Sequence, residues 1–381
     1  MSPTTIDVNL TWLAPGRVGG SEEYLVRQLT GLFAAGVAND LEIRMFCQPT
    51  FPASHPELCG RVEVMTTPYR RDSRPLRIVA ENSWLAAHTR GAHVVHHGGG
   101  TAPMIGPRST LLTVHDLQYL EFPHYFSRAR RSYLERLMPG SVRRARLIGV
   151  PSEFVRGTVI DAFDVAPDRV MVIPHGVPMV ERPDDEAIVK ARDRYGVGSD
   201  YVAIPAITHP HKGHRVLVDM LAATAAKDHP LRNLALVVIG GEGAAEAAFR
   251  QAVVAAGMTN RVVRTGRVPA ADRDALVAGA VAVVFPSEYE GFGAPLVEAM
   301  DLGVPVVGSN HPAVTEVCGD AAVIVAERTG EAWARAIDEA VARSAELVAA
   351  GHLRRAAFTL ARSGTALAAA YRSVAAESGP A

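Results

Sequence analysis

Short apolar runs alternate with amphipathic stretches along all 381 residues. Runs at 6–13, 42–46, 93–96, 111–115 and 147–151 have the length and β-branched content of strands. A second set follows at 201–207, 234–239, 262–264, 281–285, 304–307 and 322–325. Between them, apolar positions recur at helical spacing over 21–34, 127–144, 214–226, 244–256 and 294–302. The strand runs are almost continuously apolar, which is the mark of parallel sheet covered by helices on both faces. The alternation predicts an α/β fold of doubly wound parallel sheets. No fixed-period repeat interrupts it, and the Ala-rich stretch 331–370 reads as helical.

The rhythm breaks once. After an apolar run at 170–173, PHGVPMVERPDDEAIVKARDRYGVGS carries Pro, Gly and Asp but no strand, and YVAIPAI then starts afresh. This predicts two Rossmann-like domains facing across a cleft, with ligands beyond the carboxyl ends of the strands. The expected limits are a domain at 1–175, a linker at 176–199, a second domain at 200–350 and closing helices at 351–381.

Charge narrows the function classes. The chain has 39 Lys and Arg against 40 Asp and Glu, net −1. That balance excludes a general nucleic-acid binder, which needs a basic excess. Residues 1–180 hold 19 cations and 16 anions, and residues 181–381 hold 20 and 24. One stretch stands out: SRARRSYLERLMPGSVRRAR carries seven arginines, Arg128 first and Arg146 last, against Glu135 alone. It reads as a solvated helix face or as a patch for anionic lipid or phosphate. Only Lys190, Lys212 and Lys227 are lysines, so a lysine inside a motif carries weight. Cys47, Cys59 and Cys318 are scattered and form no CxxC pair, which fits a reducing cytosol. The segment MSPTTIDVNLTWLAPG has no basic start with an apolar core, and no run of 18 apolar residues occurs. The expected location is therefore cytoplasmic, with any membrane contact peripheral.

The densest chemistry lies in FPSEYEGFGAPLVEAMDLGVPVVG, residues 285–308. A strand ends at Pro286, and a Gly-rich turn carries Glu290, Gly291, Phe292 and Gly293. A helix opens near Ala294–Pro295, where Pro is favoured. Glycines on both sides of Phe292 allow close backbone approach, and a helix N-terminus suits a phosphate. Glu290 in the turn can bind sugar hydroxyls, and Glu298 on the helix can accept both hydroxyls of a ribose.

EGFGAPLVE resembles the E-x7-E signature of the retaining glycosyltransferases of family 4, which have the GT-B architecture. The resemblance extends to GRVGGSEEY, TVHD, VIPHGV, TEVCGDAA and AAFTLARSGTALAAAYRSV, and so spans nearly the whole chain. It implies that Gly19 and Gly20 lie beside donor diphosphate and acceptor, and that His115 lies close to the transferred sugar. It also implies that Glu290 holds sugar hydroxyls, Phe292 and Gly293 offer amides, Leu296 presents the helix-start amide to phosphate, and Glu298 binds the ribose. Lys212, in HPHKGH, matches the lysine that neutralises the leaving diphosphate. The family's arginine five residues earlier is Ile207 here, so one cation is missing. His209, His211 or His214 could compensate if protonated.

Three other features have competing readings. The three histidines of HPHKGH have a spacing that could bind zinc, but Lys212-Gly213 at a helix opening suits a phosphate clamp better. The run HHGGG at 96–100 reads as a plain loop or a close ligand approach. GGEG at 240–243 lacks the GxGxxG spacing of a dinucleotide site. The expectation is a metal-independent transferase with no cofactor. It would move a sugar, GDP-mannose leading over UDP-glucose and GDP- or dTDP-deoxysugar donors, to a glycan or polyprenyl-linked acceptor. Contacts near Arg267–Val268 would select the base. A non-catalytic nucleotide-sugar-binding protein and a GT-B epimerase or phosphorylase are the alternatives.

Overall fold

The computed structural model describes residues 3–16, 19–69, 74–198, 200–225 and 228–376. It divides into two units, Met1–Pro178 with Phe358–Ala381, and Met179–Ala357. Arg17, Val18 and Lys227, named in the motifs above, lie outside the described residues.

Among the described residues the first unit holds seven strands: β1 (Thr4–Leu10), β2 (Leu41–Cys47), β3 (Glu63–Thr66), β4 (Val94–His97), β5 (Thr110–Thr113), β6 (Leu147–Val150) and β7 (Val170–Val172). They pair in parallel in the order β3-β2-β1-β4-β5-β6-β7. The second unit holds β8 (Tyr201–Ile204), β9 (Ala235–Ile239), β10 (Val262–Gly266), β11 (Ala282–Phe285), β12 (Val306–Ser309) and β13 (Ala322–Val325). Their parallel order is β10-β9-β8-β11-β12-β13. The inner strands β4, β5, β6, β8, β9 and β11 are buried at every residue, which explains their largely apolar runs; the exceptions are His96 and His97 of β4 and Thr110 and Thr113 of β5. In each sheet the strand order reverses once, at β1/β4 and at β8/β11. Ligands of such sheets bind beyond the carboxyl ends of the two strands at that reversal.

Three sequence expectations are corrected. The short edge strand β3 was not anticipated, because EVMT is half-exposed and has no apolar face. The stretch expected as a linker contains an 11-residue helix, Asp185–Tyr195. Asp184 caps it by accepting from the Ala187 amide at 2.8 Å, and Gly196 ends it at φ 69°. Arg194 and Tyr195 then anchor it to Asp272 at 2.7 and 2.8 Å. Finally, β8 stops at Ile204 rather than 207, which releases residues 205–212 as the loop that carries Lys212.

The first unit is completed by the last helix among the described residues, Leu360–Ala376. It crosses the helix Gly20–Ala34 at a pair of glycines. A Cβ on Gly364 would sit 2.1 Å from the Gly31 carbonyl carbon, and one on Gly31 would sit 2.1 Å from the Leu360 carbonyl oxygen. No side chain fits at either position. Ser363 fixes the register by donating to the Pro174 carbonyl at 2.6 Å.

Candidate active site

In the second unit, the loops after β8 and β11 bring Lys212 and Glu290 together. Lys212 Nζ donates to Glu290 Oε1 at 2.6 Å. The same ammonium lies 5.3 Å from the centre of the Phe285 ring. Both side chains are largely buried, at 19% and 10% exposure, so the pair is poorly screened. Gly213 makes the approach of the two loops possible. It sits at φ 69°, and a Cβ there would meet the Pro286 carbonyl oxygen at 2.2 Å. The backbone joins as well, with the Glu288 amide donating to the His211 carbonyl at 2.7 Å.

The helix Ala294–Asp301 opens at Gly293, in the left-handed region at φ 98°, with Pro295 in its first turn. Phe292 is 4% exposed and Leu296 fully buried. The Leu296 amide donates to the Gly293 carbonyl at 3.0 Å, so a phosphate at this point would share that donor. Glu298 follows on the helix and is half-buried.

Sequence reasoning missed the groups that brace these loops. Thr208 Oγ1 donates to Glu246 at 2.6 Å and accepts from the Gly243 amide at 2.8 Å. Glu246 is in turn held by Arg250 and Arg264, at 2.7 and 2.9 Å. Hydrogen bonds from Thr208 and from these arginines hold its carboxyl below the usual range, against burial. The glycines at 240 and 243 let the β9 loop lie against the β8 loop. A Cβ on either would meet a carbonyl oxygen, of Ala206 at 2.7 Å and of Thr208 at 2.5 Å. Arg328 donates to Glu288 at 2.6 Å, and Ser309 donates to the Ser287 carbonyl at 2.7 Å. His311, close enough to Glu290 to feel its charge, has its pKa lowered by burial. None of these partners is adjacent in sequence.

His211 and His214 do not replace the missing arginine in the way considered above. Burial pushes both His211 and His214 down to about 3, with Lys212 adding to the effect, so both are neutral near pH 7. His209 stacks on His211 at 5.7 Å. Ile207 instead packs beside Gly243. Among the described residues, no three His, Cys, Asp or Glu side chains converge as metal ligands.

In the first unit, His115 lies just past β5, with its Nε2–H donating to the Gly98 carbonyl at 2.8 Å. That bond leaves Nδ1 as the acceptor in the neutral ring. Burial lowers the His115 pKa despite the carbonyl contact. Tyr24 and Trp12 flank the imidazole, at 5.4 and 6.1 Å between ring centres. Gly19 (φ 71°) and Gly20 start the helix Gly20–Ala34, and added Cβ atoms would meet nothing within 4 Å there. Glu22 ties this loop down, accepting from the Gly16 amide at 2.9 Å and pairing with His55 at 2.9 Å.

The run HHGGG is not a plain loop. His96 and His97 end β4 and are buried. His96 shares hydrogen bonds with Tyr371 at 2.9 Å and Thr113 at 2.7 Å. His97 accepts from Asn9 at 3.2 Å, within a buried cluster of Asn9, Thr11 and Glu81. A Cβ on Gly99 would strike the Trp12 ring at 2.7 Å, and one on Gly98 would strike Leu25 at 2.3 Å.

Comparison with known proteins gives the family. Residues 18–180 match the model described as Glycosyltransferase Family 4, and residues 199–343 match Glycosyl transferases group 1. The chain is 30% identical over 217 residues to O-antigen chain mannosyltransferase B of Escherichia coli, covering 56% of each. It is 25% identical over 271 residues to O-antigen chain mannosyltransferase RfbU of Salmonella typhimurium, covering 69% of this chain and 70% of that one. The matched stretch is thus little more than half the length of the first relative. The crystal structure of Anabaena HepE with UDP and glucose superposes with a TM-score of 0.74 at 19% identity, over 97% of this chain and 100% of that one. With two family models side by side, each on one parallel-sheet unit of the GT-B type, the chain belongs to the group 1, family 4 glycosyltransferases.

Proposed function

We propose that the protein is a retaining glycosyltransferase that moves a sugar, mannose from GDP-mannose in the first instance, to a hydroxyl of a glycan or polyprenyl-linked acceptor. The observation that carries this reading is the Lys212–Glu290 pair at the strand reversal of the second sheet, beside a glycine-opened helix. A cation and a helix N-terminus attract a diphosphate, and an adjoining carboxylate accepts from sugar hydroxyls. The two mannosyltransferase relatives favour mannose as the sugar.

In the proposed reaction the bond from the anomeric carbon to the phosphate oxygen breaks. The acceptor oxygen bonds that carbon on the same face, and its proton passes to the departing phosphate oxygen. Lys212 and the Gly293–Leu296 helix start meet the charge that builds on the diphosphate. Glu290 orients the sugar, and Glu298 accepts from the ribose. His115, neutral with Nε2 committed to Gly98, accepts from a sugar hydroxyl through Nδ1. Gly19 and Gly20 leave room for diphosphate and acceptor. Because Lys212 and the helix supply the positive charge, transfer is proposed to need neither metal nor cofactor.

The test is a panel of nucleotide sugars screened by thermal shift, then nucleotide release with and without chelator, and the anomeric configuration of the product by NMR. Stabilisation by GDP-mannose, chelator-insensitive release and retained configuration support the proposal. An inverted product refutes the retaining step, and stabilisation by no donor refutes the transferase reading.

A further inference from the structure

We propose that Glu81 and the turn after β1 form a subsite for the hydroxyls of the acceptor sugar, with Glu81 as the specificity-determining residue. The ligand class is an uncharged, hydroxyl-bearing sugar ring. Calling it the acceptor rests on the transferase reading above; the subsite itself rests on the geometry of the first unit.

Glu81 opens a single π turn, Glu81–Leu85, set between the helical segments Arg74–Ala80 and Ala86–His88. Such turns are rare and occur often at functional sites. This one brings a carboxylate to the carboxyl ends of β1 and β4, the strand reversal where ligands of such sheets bind. There Thr11 Oγ1 lies 2.9 Å from Glu81 Oε1, and Asn9 Nδ2 lies 3.5 Å from it. The Glu81 side chain is 11% exposed, as deeply set as Glu290 of the second unit.

A carboxylate so buried needs donors, and the cluster supplies few. Thr11 has one hydroxyl proton, and Asn9 Oδ1 lies closer to that hydroxyl, at 2.7 Å, than Glu81 does. Asn9 cannot turn its amide round to help. Its Oδ1 accepts from the Thr11 amide at 3.1 Å, and its Nδ2 faces His97 Nδ1 at 3.2 Å. Arg77 Nε, 3.9 Å from Oε1, is beyond hydrogen-bonding distance. Among the described residues, Glu81 Oε2 has no hydrogen-bond partner. The next residue of the turn carries a second unmet group, Trp12 Nε1, a buried donor with no acceptor among them. Buried polar groups are nearly always paired, so two unmet ones in adjoining positions mark a place for a ligand that both donates and accepts. A sugar hydroxyl does both. A ligand phosphate would set anion against anion at Oε2.

The cluster is joined to the residue proposed to meet the transferred sugar. His97 accepts from Asn9, and the carbonyl of the next residue, Gly98, accepts from His115 Nε2 at 2.8 Å. The Trp12 ring lies 6.1 Å from the His115 ring and against Gly99, where a Cβ would strike it at 2.7 Å. A sugar ring held by this turn therefore lies beside His115.

The experiment is saturation-transfer NMR titration of the full chain without nucleotide sugar. The probes are the methyl glycosides of mannose, glucose, galactose and N-acetylglucosamine, then the monodeoxy analogues of the best binder. Wild type is expected to bind one glycoside and to bind one of its deoxy analogues about tenfold more weakly, the loss of a hydrogen bond to a charged group. Glu81→Gln is expected to bind the parent glycoside about tenfold more weakly and to lose the discrimination against that analogue. Trp12→Phe keeps a ring and removes the donor, and is expected to weaken binding about fivefold. Binding of no glycoside by wild type, or a deoxy series with no selective loss, would overturn the proposal; neither result depends on a variant. So would a Glu81→Gln chain that melts lower yet binds and discriminates as wild type does, since Glu81 would then be only a brace. The transferase reading fails separately, on the donor panel, and its failure would leave a sugar subsite without a transfer reaction.

Discussion

Lys212→Met removes the ammonium while keeping most of the side chain's volume. The structure allows its two effects to be separated. Glu290 would be left about one-tenth exposed, with its 2.6 Å partner gone. Breaking a fully buried pair costs about 3–5 kcal/mol; with both partners partly exposed, the loss here is set lower, at about 2 kcal/mol. Loss of a preorganised charge on a developing anion costs about 3–4 kcal/mol in the transition state, or 10²–10³ in kcat. The variant should therefore melt a few degrees lower, as a folded protein, and release nucleotide at least a hundredfold more slowly at saturating donor. Lys212→Arg should restore charge but not position, and recover only part of the rate. The assay is initial-rate nucleotide release, with differential scanning fluorimetry on the same samples. A Lys212→Met rate within threefold of wild type would refute the clamp role, and a matching loss of stability and rate would mean the lysine is only structural.

Other perturbations test the framework. Thr208→Val removes the hydroxyl linking Glu246 to the Gly243 amide; it should raise the KM for donor several-fold more than it lowers the melting temperature would suggest, measured by steady-state kinetics. Gly364→Val forces side-chain atoms into the Gly31 backbone and should destabilise the first unit by at least the roughly 1–3 kcal/mol typical of overpacking, read by urea denaturation. His96 and His97 titrate near 3 and 4 in the folded chain, depressed by burial, against about 6.5 when unfolded. Below pH 6.5 the unfolded chain binds protons that the folded chain refuses, so stability is complete above that pH and falls toward pH 4. Between pH 7 and 5.5 each histidine should remove about 1.2 kcal/mol. His96→Gln should flatten that slope, and an unchanged slope in urea melts would show that His96 is not the sensor.

The sequence made the βα rhythm and the 285–308 motif readable because both are local. Apolar strands of four or five residues and a Gly-rich turn before a helix carry their signals within a few positions. The helix Asp185–Tyr195 had such signals too, Asp184 before it and Gly196 after it, but only Ile188 and Ala191 are buried on its inner face. A helix with so narrow an apolar stripe reads as linker. The strand β3 failed for the same reason, having no buried residue at all. What no local pattern could supply were the contacts that shape the site. Thr208 meets Glu246 across 38 positions, Lys212 meets Glu290 across 78, and His96 meets Tyr371 across 275. The neutrality of His211 and His214 was likewise invisible, because it follows from burial rather than from residue type.

The crossing at Gly31 and Gly364 bears on the order in which the protein is made. Leu367, Ala368, Ala370, Tyr371 and Val374 belong to the same core as β1 and β2, yet they are synthesised after the whole second unit. The first unit therefore emerges from the ribosome with one face of its sheet only partly covered, while the whole of Met179–Ala357 is translated. At about 5–20 residues per second, that interval is roughly 10–40 s. During it the second unit can fold, and the apolar side of the first sheet is open to chaperones or to other nascent chains. Losing the helix Leu360–Ala376 would thus leave β1 and β2 without part of their core, though the whole second unit lies between them in the sequence.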